Sequence, residues 1–87
     1  MIAYRPIDQV VVREQGGRAF LLDITTSRYY ELNQTGLLVW KALARGEDPA
    51  AAVENAFPGV DAERLASDVD GLVNELVSAG LVAPEPP

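Results

Sequence analysis

The chain has 87 residues, is 48% hydrophobic, carries a formal net charge of −6 and contains no cysteine and no histidine. This composition predicts one small domain with a modest apolar core, and it excludes a disulfide scaffold, a typical zinc site and a Cys or His nucleophile or base. The N-terminal residues form no signal-peptide pattern and no apolar run approaches the roughly 20 residues of a membrane span, so we expect a cytoplasmic protein with no membrane partner.

The charge is divided unevenly along the chain. Residues 1–45 hold six basic and four acidic residues, whereas residues 46–87 hold one basic and nine acidic residues. An acidic half of this kind repels nucleic-acid phosphates and attracts cationic segments. Nucleic acid is therefore not an expected partner.

Three strands are predicted in the first part of the chain. After an irregular lead-in over residues 1–8, the β-branched run at 10–12 predicts the first strand. A Gly-Gly turn at 16–17 leads to a second strand at 19–24, and the Tyr-rich segment 28–32 is the third. The short connections predict an antiparallel meander.

Two helices with clear start signals follow. Asn33 is a typical N-cap for a first helix over residues 34–44, and Asp48 followed by Pro49 starts a second helix. Gly36 is unfavourable in the first turn of a helix, by up to ~1 kcal/mol relative to Ala. The close approach of another backbone is one explanation for it.

The third helix has the strongest pattern. Asp61 is its predicted N-cap, and Gly80 ends it with Leu81 folding back as the apolar residue of a Schellman motif. Its apolar stripe consists of Leu65, Val69, Leu72 and Leu76, widened by Ala66, Val73 and Val77. We expect one α+β domain over residues 1–83, a three-stranded antiparallel sheet followed by three helices, and a disordered Pro-rich tail at 84–87.

The third strand has two open interpretations. Tyr29 and Tyr30 point to opposite faces, either as ordinary sheet aromatics or as a platform for a peptide ligand. If the second strand is central, the third is an edge whose free N–H and C=O groups can pair with an extended peptide. The alternative is an edge blunted by Arg28 and Glu31.

The third helix also carries an acidic face. Its five acids against Arg64 give a net charge of −4; they are Asp61, Glu63, Asp68, Asp70 and Glu75. Such a run is either a solvated face or a grip for cations, and Asp68 and Glu75 border the apolar stripe two turns apart. Acid–base catalysis is disfavoured because no nucleophile or phosphate loop accompanies the carboxylates. A DNA-binding winged helix is disfavoured because its recognition helix would be basic.

Several motifs carry a family resemblance. The segments Leu22-Asp23-Ile24 and Arg28-Tyr29-Tyr30-Glu31-Leu32-Asn33-Gln34-Thr35-Gly36, with Trp40 four residues on, resemble the PqqD-like family. So do the helix from Asp68-Val69 to Leu76 and the following Ala79-Gly80-Leu81. This family is also called the RiPP precursor peptide recognition element, and the resemblance covers roughly residues 5–82.

The resemblance implies a winged-helix-like fold without catalysis or cofactor. It implies that the leader of a ribosomally made precursor peptide adds as a strand beside the third strand and packs against the third helix. The adaptor then delivers the precursor to a modifying enzyme. The compact, acidic, Ala- and Val-rich chain favours the lasso-peptide type, whose partner is a leader peptidase. The alternatives are a PqqD-type chaperone in quinone cofactor synthesis and a small acidic docking subunit of one enzyme.

The expected peptide-binding residues lie on one strand and one helix. They are Arg28, Tyr29, Tyr30, Glu31 and Leu32 on the third strand, and Asp68, Val69, Leu72, Val73, Glu75 and Leu76 on the third helix. Tyr30 and Leu32 are expected to share the inner face of the strand. A leader aromatic is expected to pack against Val69, Leu72 and Val73.

Overall fold

The computed structural model describes residues 3–85 and has an α+β architecture. In chain order the elements are β1 (Tyr4–Pro6), β2 (Val10–Gln15), β3 (Arg18–Asp23), β4 (Tyr29–Leu32), α1 (Gln34–Arg45), α2 (Pro49–Ala56), α3 (Ala62–Ser78) and β5 (Val82–Pro84). The three-stranded sheet and the three helices confirm the predicted fold class, and the predicted first, second and third strands are β2, β3 and β4.

The antiparallel sheet has the order β2-β3-β4, so β3 is central. Side chains alternate between the two faces of a strand. Ala19, Leu21 and Asp23 of β3 are buried on the inner face, which the helices cover. Phe20 and Leu22 lie on the outer face. The meander is therefore confirmed, and β4 is an edge strand.

Asp23 shapes the connection between β3 and β4. Its backbone N–H donates to the carbonyl of Arg28 at 2.9 Å, and its carbonyl accepts from Ser27 N–H at 2.8 Å. Its carboxylate accepts from Thr25 N–H at 2.9 Å. Ser27 has a φ of 61°, which is the left-handed conformation typical of a bulge after a turn. The buried Asp23 carboxylate thus stabilises the loop that connects β3 to β4.

The helices begin where their capping residues predict. The Asn33 Oδ1 atom accepts from Gly36 N–H at 2.8 Å, which satisfies one of the free amides of α1. Asp48 and Asp61 cap α2 and α3 in the same way. All three predicted N-caps are confirmed, and the chain passes from β4 to α1 through a single residue.

The end of α3 confirms the predicted Schellman motif. Leu81 N–H donates to the carbonyl of Leu76 and Gly80 N–H donates to that of Val77, each at 3.0 Å. Gly80 adopts a φ of 75°, and Leu81 is buried. The chain therefore turns back sharply after α3 and reaches β5.

One core joins the inner face of the sheet to all three helices. The members with the largest side chains are Leu21, Leu32, Leu37, Val39, Trp40, Leu43, Val53, Leu65, Val69, Val73, Leu76, Leu81 and Val82. The apolar stripe predicted for the third helix supplies much of this core, because it faces α1, α2 and β5.

The two ends of the described chain differ from the prediction. The lead-in expected to be irregular contains β1, and Pro84, assigned to a disordered tail, belongs to β5, which pairs antiparallel with β1. Glu85 N–H also donates to the carbonyl of Ala3 at 2.7 Å. The pairing of β1 with β5 joins residues far apart in sequence, so no local sequence pattern predicts it. Pro6 and Pro84 are tolerated in these strands because each strand has a free edge. Residues 86–87, the rest of the predicted tail, lie outside the described residues.

Candidate functional site

The open edge of β4 is the first component of the candidate site. β4 pairs with β3 on one side, and within residues 3–85 no strand pairs with its other side. In an antiparallel pair the residues alternate between hydrogen-bonded and non-hydrogen-bonded positions. Because Asp23 N–H bonds to the carbonyl of Arg28, the register makes Tyr30 and Leu32 the residues that bond to β3. The backbone N–H and C=O groups of Tyr29 and Glu31 therefore point to the open edge.

The side chains of β4 follow the predicted alternation. Tyr30 lies opposite Leu21 and is half-buried, while Leu32 is 2% exposed in the core. Tyr29 is on the outer face, 70% exposed, with its ring centroid 6.4 Å from that of Phe20. The predicted inner position of Tyr30 and outer position of Tyr29 are confirmed.

Two charged residues, Glu31 in β4 and Arg28 just before it, bear on whether the edge is open. Glu31 makes an ion pair with Arg18, which lies on β3 and so on the side away from the open edge. Arg28 is exposed and makes no ion pair within residues 3–85. The alternative was an edge blunted by Arg28 and Glu31. The ion pair of Glu31 with Arg18 favours an accessible edge, and the exposed Arg28 does not decide between the two.

Tyr30 connects the edge strand to α3. Its hydroxyl donates to Glu75 Oε2 at 3.1 Å. Burial raises the pKa of Tyr30 above its usual value, and the hydrogen bond to Glu75 and the negative charge of that carboxylate raise it further. The pair thus marks where the inner face of β4 meets the side of α3.

The residues predicted on α3 divide into two groups. Asp68, Leu72 and Glu75 recur at helical spacing and share the side of α3 that faces this region. Leu72 is half-buried and Asp68 and Glu75 are exposed. The other group, Val69, Val73 and Leu76, is 3%, 7% and 0% exposed, so these side chains form core beneath the surface.

A cleft of about 310 Å³ lies between the three helices. It is lined by Thr35, Val39, Val53, Phe57, Val60, Leu65, Asp68, Val69 and Leu72. Thr35 is in the first turn of α1, directly after β4, so the cleft opens near the end of the edge strand. Its size is at the low end for ligand pockets and suits one side chain of a longer ligand.

Several cleft residues were missed from the sequence. The spacing of Val53 and Phe57 does indicate an apolar face on α2. The spacing does not give the position of α2 relative to α3. In the structure that position leaves Phe57 37% and Val60 45% exposed at the rim of the cleft. The cleft needs three helices to be placed together, and no local pattern contains that information.

The described part of the chain has neither a cluster of metal ligands nor a helix that could span a membrane. Residues 3–85 contain no group of three or more His, Cys, Asp or Glu side chains arranged to hold a metal ion. Within the same residues no helix has both the length and the apolar character needed to cross a bilayer.

These features define a class of protein, a small α+β domain in which an open strand edge lies beside an acidic and apolar helix groove. The model of the family described as coenzyme PQQ synthesis protein D (PqqD) matches residues 18–82. The chain therefore belongs to the PqqD family. No curated protein matches the chain.

Two solved structures are similar to the whole chain. One is TbiB1 in complex with the TbiA(beta) leader peptide, with 24% identity and a TM-score of 0.81 over 95% of this chain and 99% of that one. The other is a lasso peptide synthetase B1 complexed with the leader peptide, with 25% identity and a TM-score of 0.82 over 94% of this chain and 99% of that one. Both share the fold described above.

Proposed function

We propose that this chain is a non-catalytic adaptor that binds the leader segment of a ribosomally synthesised precursor peptide, of the lasso-peptide type, by strand addition to β4. The observation that carries the proposal is the open edge of β4, where the backbone groups of Tyr29 and Glu31 are free beside α3. The similar structures noted above contain leader peptides, which supports a peptide as the ligand.

Strand addition explains how one edge holds a variable peptide. The leader backbone pairs with the N–H and C=O groups of Tyr29 and Glu31, which supplies affinity without reading the sequence. Alternate leader side chains then point inward, toward Tyr30 and α3, or outward beside Tyr29. Specificity comes from the inward side chains.

The cleft at the end of β4 takes one of these inward side chains. Its walls are mostly apolar, with the Asp68 carboxylate at the edge. An aromatic or aliphatic leader residue fits the apolar walls, and a nearby Lys or Arg of the leader is attracted by Asp68 and Glu75. We assign direct contacts to residues 28–31 and to Asp68, Leu72 and Glu75, and a place in the wall of the cleft to Val69. Leu32, Val73 and Leu76 have a supporting role beneath them.

The chemistry is assigned to a partner enzyme. The chain lacks histidine and cysteine, and its α3 carboxylates are solvent-exposed surface acids. Exposed acids without a nucleophile or an orienting partner are poor catalysts. The adaptor instead raises the local concentration of its precursor at a leader peptidase or another modifying enzyme.

The description of the matching family supports a second candidate, a chaperone for the precursor of a quinone cofactor. The two candidates differ in the peptide that binds. The test is titration calorimetry with synthetic leaders of a lasso precursor and of the quinone-cofactor precursor, each beside its scrambled version. Micromolar or tighter binding of the lasso leader is expected. Binding of the quinone-cofactor peptide alone supports the second candidate, and binding of neither contradicts both.

A further inference from the structure

The sheet has a second open edge, on β2, that the proposed peptide site does not use. β2 pairs with β3 on one side, and in the part of the chain that the structure describes no strand pairs with its other side. Ile24 N–H donates to the carbonyl of Gln9 at 3.0 Å, which fixes the phase of this pair. Because bonded positions alternate along an antiparallel strand, the backbone N–H and C=O groups of Val10, Val12 and Glu14 point to the open edge.

The strand at this edge is apolar and only partly covered on either face. Val11, on the outer face, is 52% exposed. Val12 lies on the inner face opposite the buried Leu21, yet it is 37% exposed, because α1 packs more closely on β3 and β4 than on β2. Exposed β-branched residues at an open edge favour pairing with another strand. The valines of β2 are therefore left for a partner to cover.

β2 is complementary to itself in one antiparallel register, which is centred on Val12. In this register Val12 exchanges both backbone hydrogen bonds with Val12 of a second copy, and Val10 does so with Glu14 of that copy. On the outer face Val11 lies opposite Arg13 of the second copy. No two like charges are directly opposite each other, and the exposed valines of both copies come together.

The two neighbouring registers that keep the same backbone phase are less favourable. Pairing centred on Arg13 opposes the guanidinium groups of the two copies, and pairing centred on Val11 places Glu14 opposite Asp8 of the second copy. In the favoured register the Glu14 carboxylate meets a valine and keeps its own counter-ion, Lys41 Nζ, at 2.8 Å. Charge therefore selects one register for the pairing of two copies.

The charge distribution of the whole chain also favours contact at this edge. Residues 1–45, which contain β2, hold six basic against four acidic residues. The acidic helix α3 lies at the other side of the sheet, where Glu75 accepts from Tyr30 of β4. Pairing through β2 therefore keeps the acidic helices of two copies apart. It also leaves β4 of each copy at an outer edge of the joined sheet, so both proposed peptide sites stay open.

We propose that β2 is a self-association edge, through which two copies of this chain join their sheets about a twofold axis at Val12. The interface is isologous, since the same strand serves both copies. It is one strand wide in each copy, so the association is expected to be weak, with a dissociation constant in the micromolar range or above. It does not depend on which peptide binds β4.

The test is sedimentation equilibrium of the full chain from about 1 μM to about 1 mM. Val12→Lys and Val12→Glu each oppose two like charges at the twofold axis and should weaken self-association by about tenfold or more. An equal mixture of these two variants should restore association, because lysine then faces glutamate. The matched control is Val60→Lys, which places the same charge on an exposed valine outside the sheet and should associate like the wild type. Melting temperatures verify that each variant is folded.

Hydrogen exchange identifies the edge itself. The amides of Val12 and Glu14 should exchange fast in dilute protein and become protected as the concentration rises. A mass that stays that of one chain at about 1 mM overturns the inference, as does association that Val12→Lys leaves unchanged or that the mixed variants do not restore. Association that Val60→Lys abolishes would lie at the cleft instead and also overturns it. Protection of Val12 that requires a leader peptide, at any chain concentration, would mean that a peptide and not a second copy pairs with β2.

Discussion

Tyr30 is the residue through which β4 contacts α3, and its titration reports on that contact. The raised pKa means that the folded state favours the protonated phenol. The resulting stabilisation is fully present below the ordinary tyrosine pKa of about 10, and it is lost as pH rises through the higher pKa of the folded state. Part of the alkaline loss of stability should therefore belong to this one hydroxyl.

Tyr30→Phe removes the hydrogen bond to Glu75 and leaves the ring in place. We expect a loss of about 1 kcal/mol in the free energy of unfolding at neutral pH, the usual value of one such bond. Above pH ~10 the difference from the wild type should shrink. Urea unfolding at both pH values measures it, and Tyr29→Phe on the exposed outer ring is the control. An unchanged difference at high pH would show that the Tyr30 hydroxyl is not the titrating group.

Neighbouring side chains leave no room for a Cβ atom at position 36, which explains the glycine there. A Cβ atom here would lie 3.1 Å from Leu32 Cδ2 and 3.3 Å from Asn33 Oδ1. The close approach expected from the sequence was that of another backbone; the structure shows a buried leucine and the capping side chain of α1 instead. Neither can move without disturbing the core or the cap.

Gly36→Ala and Gly71→Ala should therefore have opposite effects. Both positions are helical, but a Cβ at Gly71 meets nothing within 4 Å. Gly71→Ala should stabilise by ~0.5–1 kcal/mol through helix propensity. Gly36→Ala should destabilise by about 1 kcal/mol, because overpacking outweighs that gain. Chemical denaturation gives the free energy of unfolding of both variants. A Gly36→Ala variant more stable than the wild type would refute the steric argument.

At the scale of one element, the proposed function gives α3 a binding side and a purely structural side. Leu72 lines the cleft, whereas Val77 is a half-buried residue that lies well around the helix from it. Leu72→Ala is expected to weaken leader binding by about tenfold, and Val77→Ala should lower the melting temperature without changing affinity. Calorimetry of the folded variants separates the two effects. Equal affinity losses in both would mean that α3 acts only through stability.

Two acids of α3, Asp68 and Asp70, should likewise differ in their effect on leader binding. Asp68 lines the cleft, and Asp70, two residues later, points away from it. Asp68→Asn should weaken a Lys- or Arg-containing leader a few-fold at low salt and reduce the salt dependence of binding, while Asp70→Asn should do neither. Glu75→Ala is a less clean probe, because it also removes the bond to Tyr30. Identical salt dependence in the wild type and Asp68→Asn would contradict a role for this carboxylate.

At the scale of the whole molecule, the sequence predicts whatever depends on neighbours in the chain. The caps Asn33, Asp48 and Asp61 and the Schellman turn at Gly80 are local, and all four are confirmed. The inner and outer positions of Tyr30 and Tyr29 follow from alternation once the helix side of the sheet is known. These elements define the open edge and the acidic side of α3.

Long-range contacts account for what the sequence does not predict. The pairing of β1 with β5 joins the two ends of the described chain, and the cleft joins Thr35, Phe57 and Leu72 from three helices. Val69, Val73 and Leu76 belong to the apolar stripe from their spacing alone. Their burial beneath the groove depends on how α3 packs, which spacing does not specify.

Hydrogen exchange at β4 tests strand addition most directly. In the free protein the amides of Tyr30 and Leu32 bond to β3 and should exchange slowly, whereas those of Tyr29 and Glu31 face the open edge and should exchange fast. The measurement is residue-resolved exchange by NMR with and without a saturating leader peptide. Strand addition predicts that the Tyr29 and Glu31 amides become protected on binding. Binding that leaves both amides exchanging as fast as in the free protein would contradict the account.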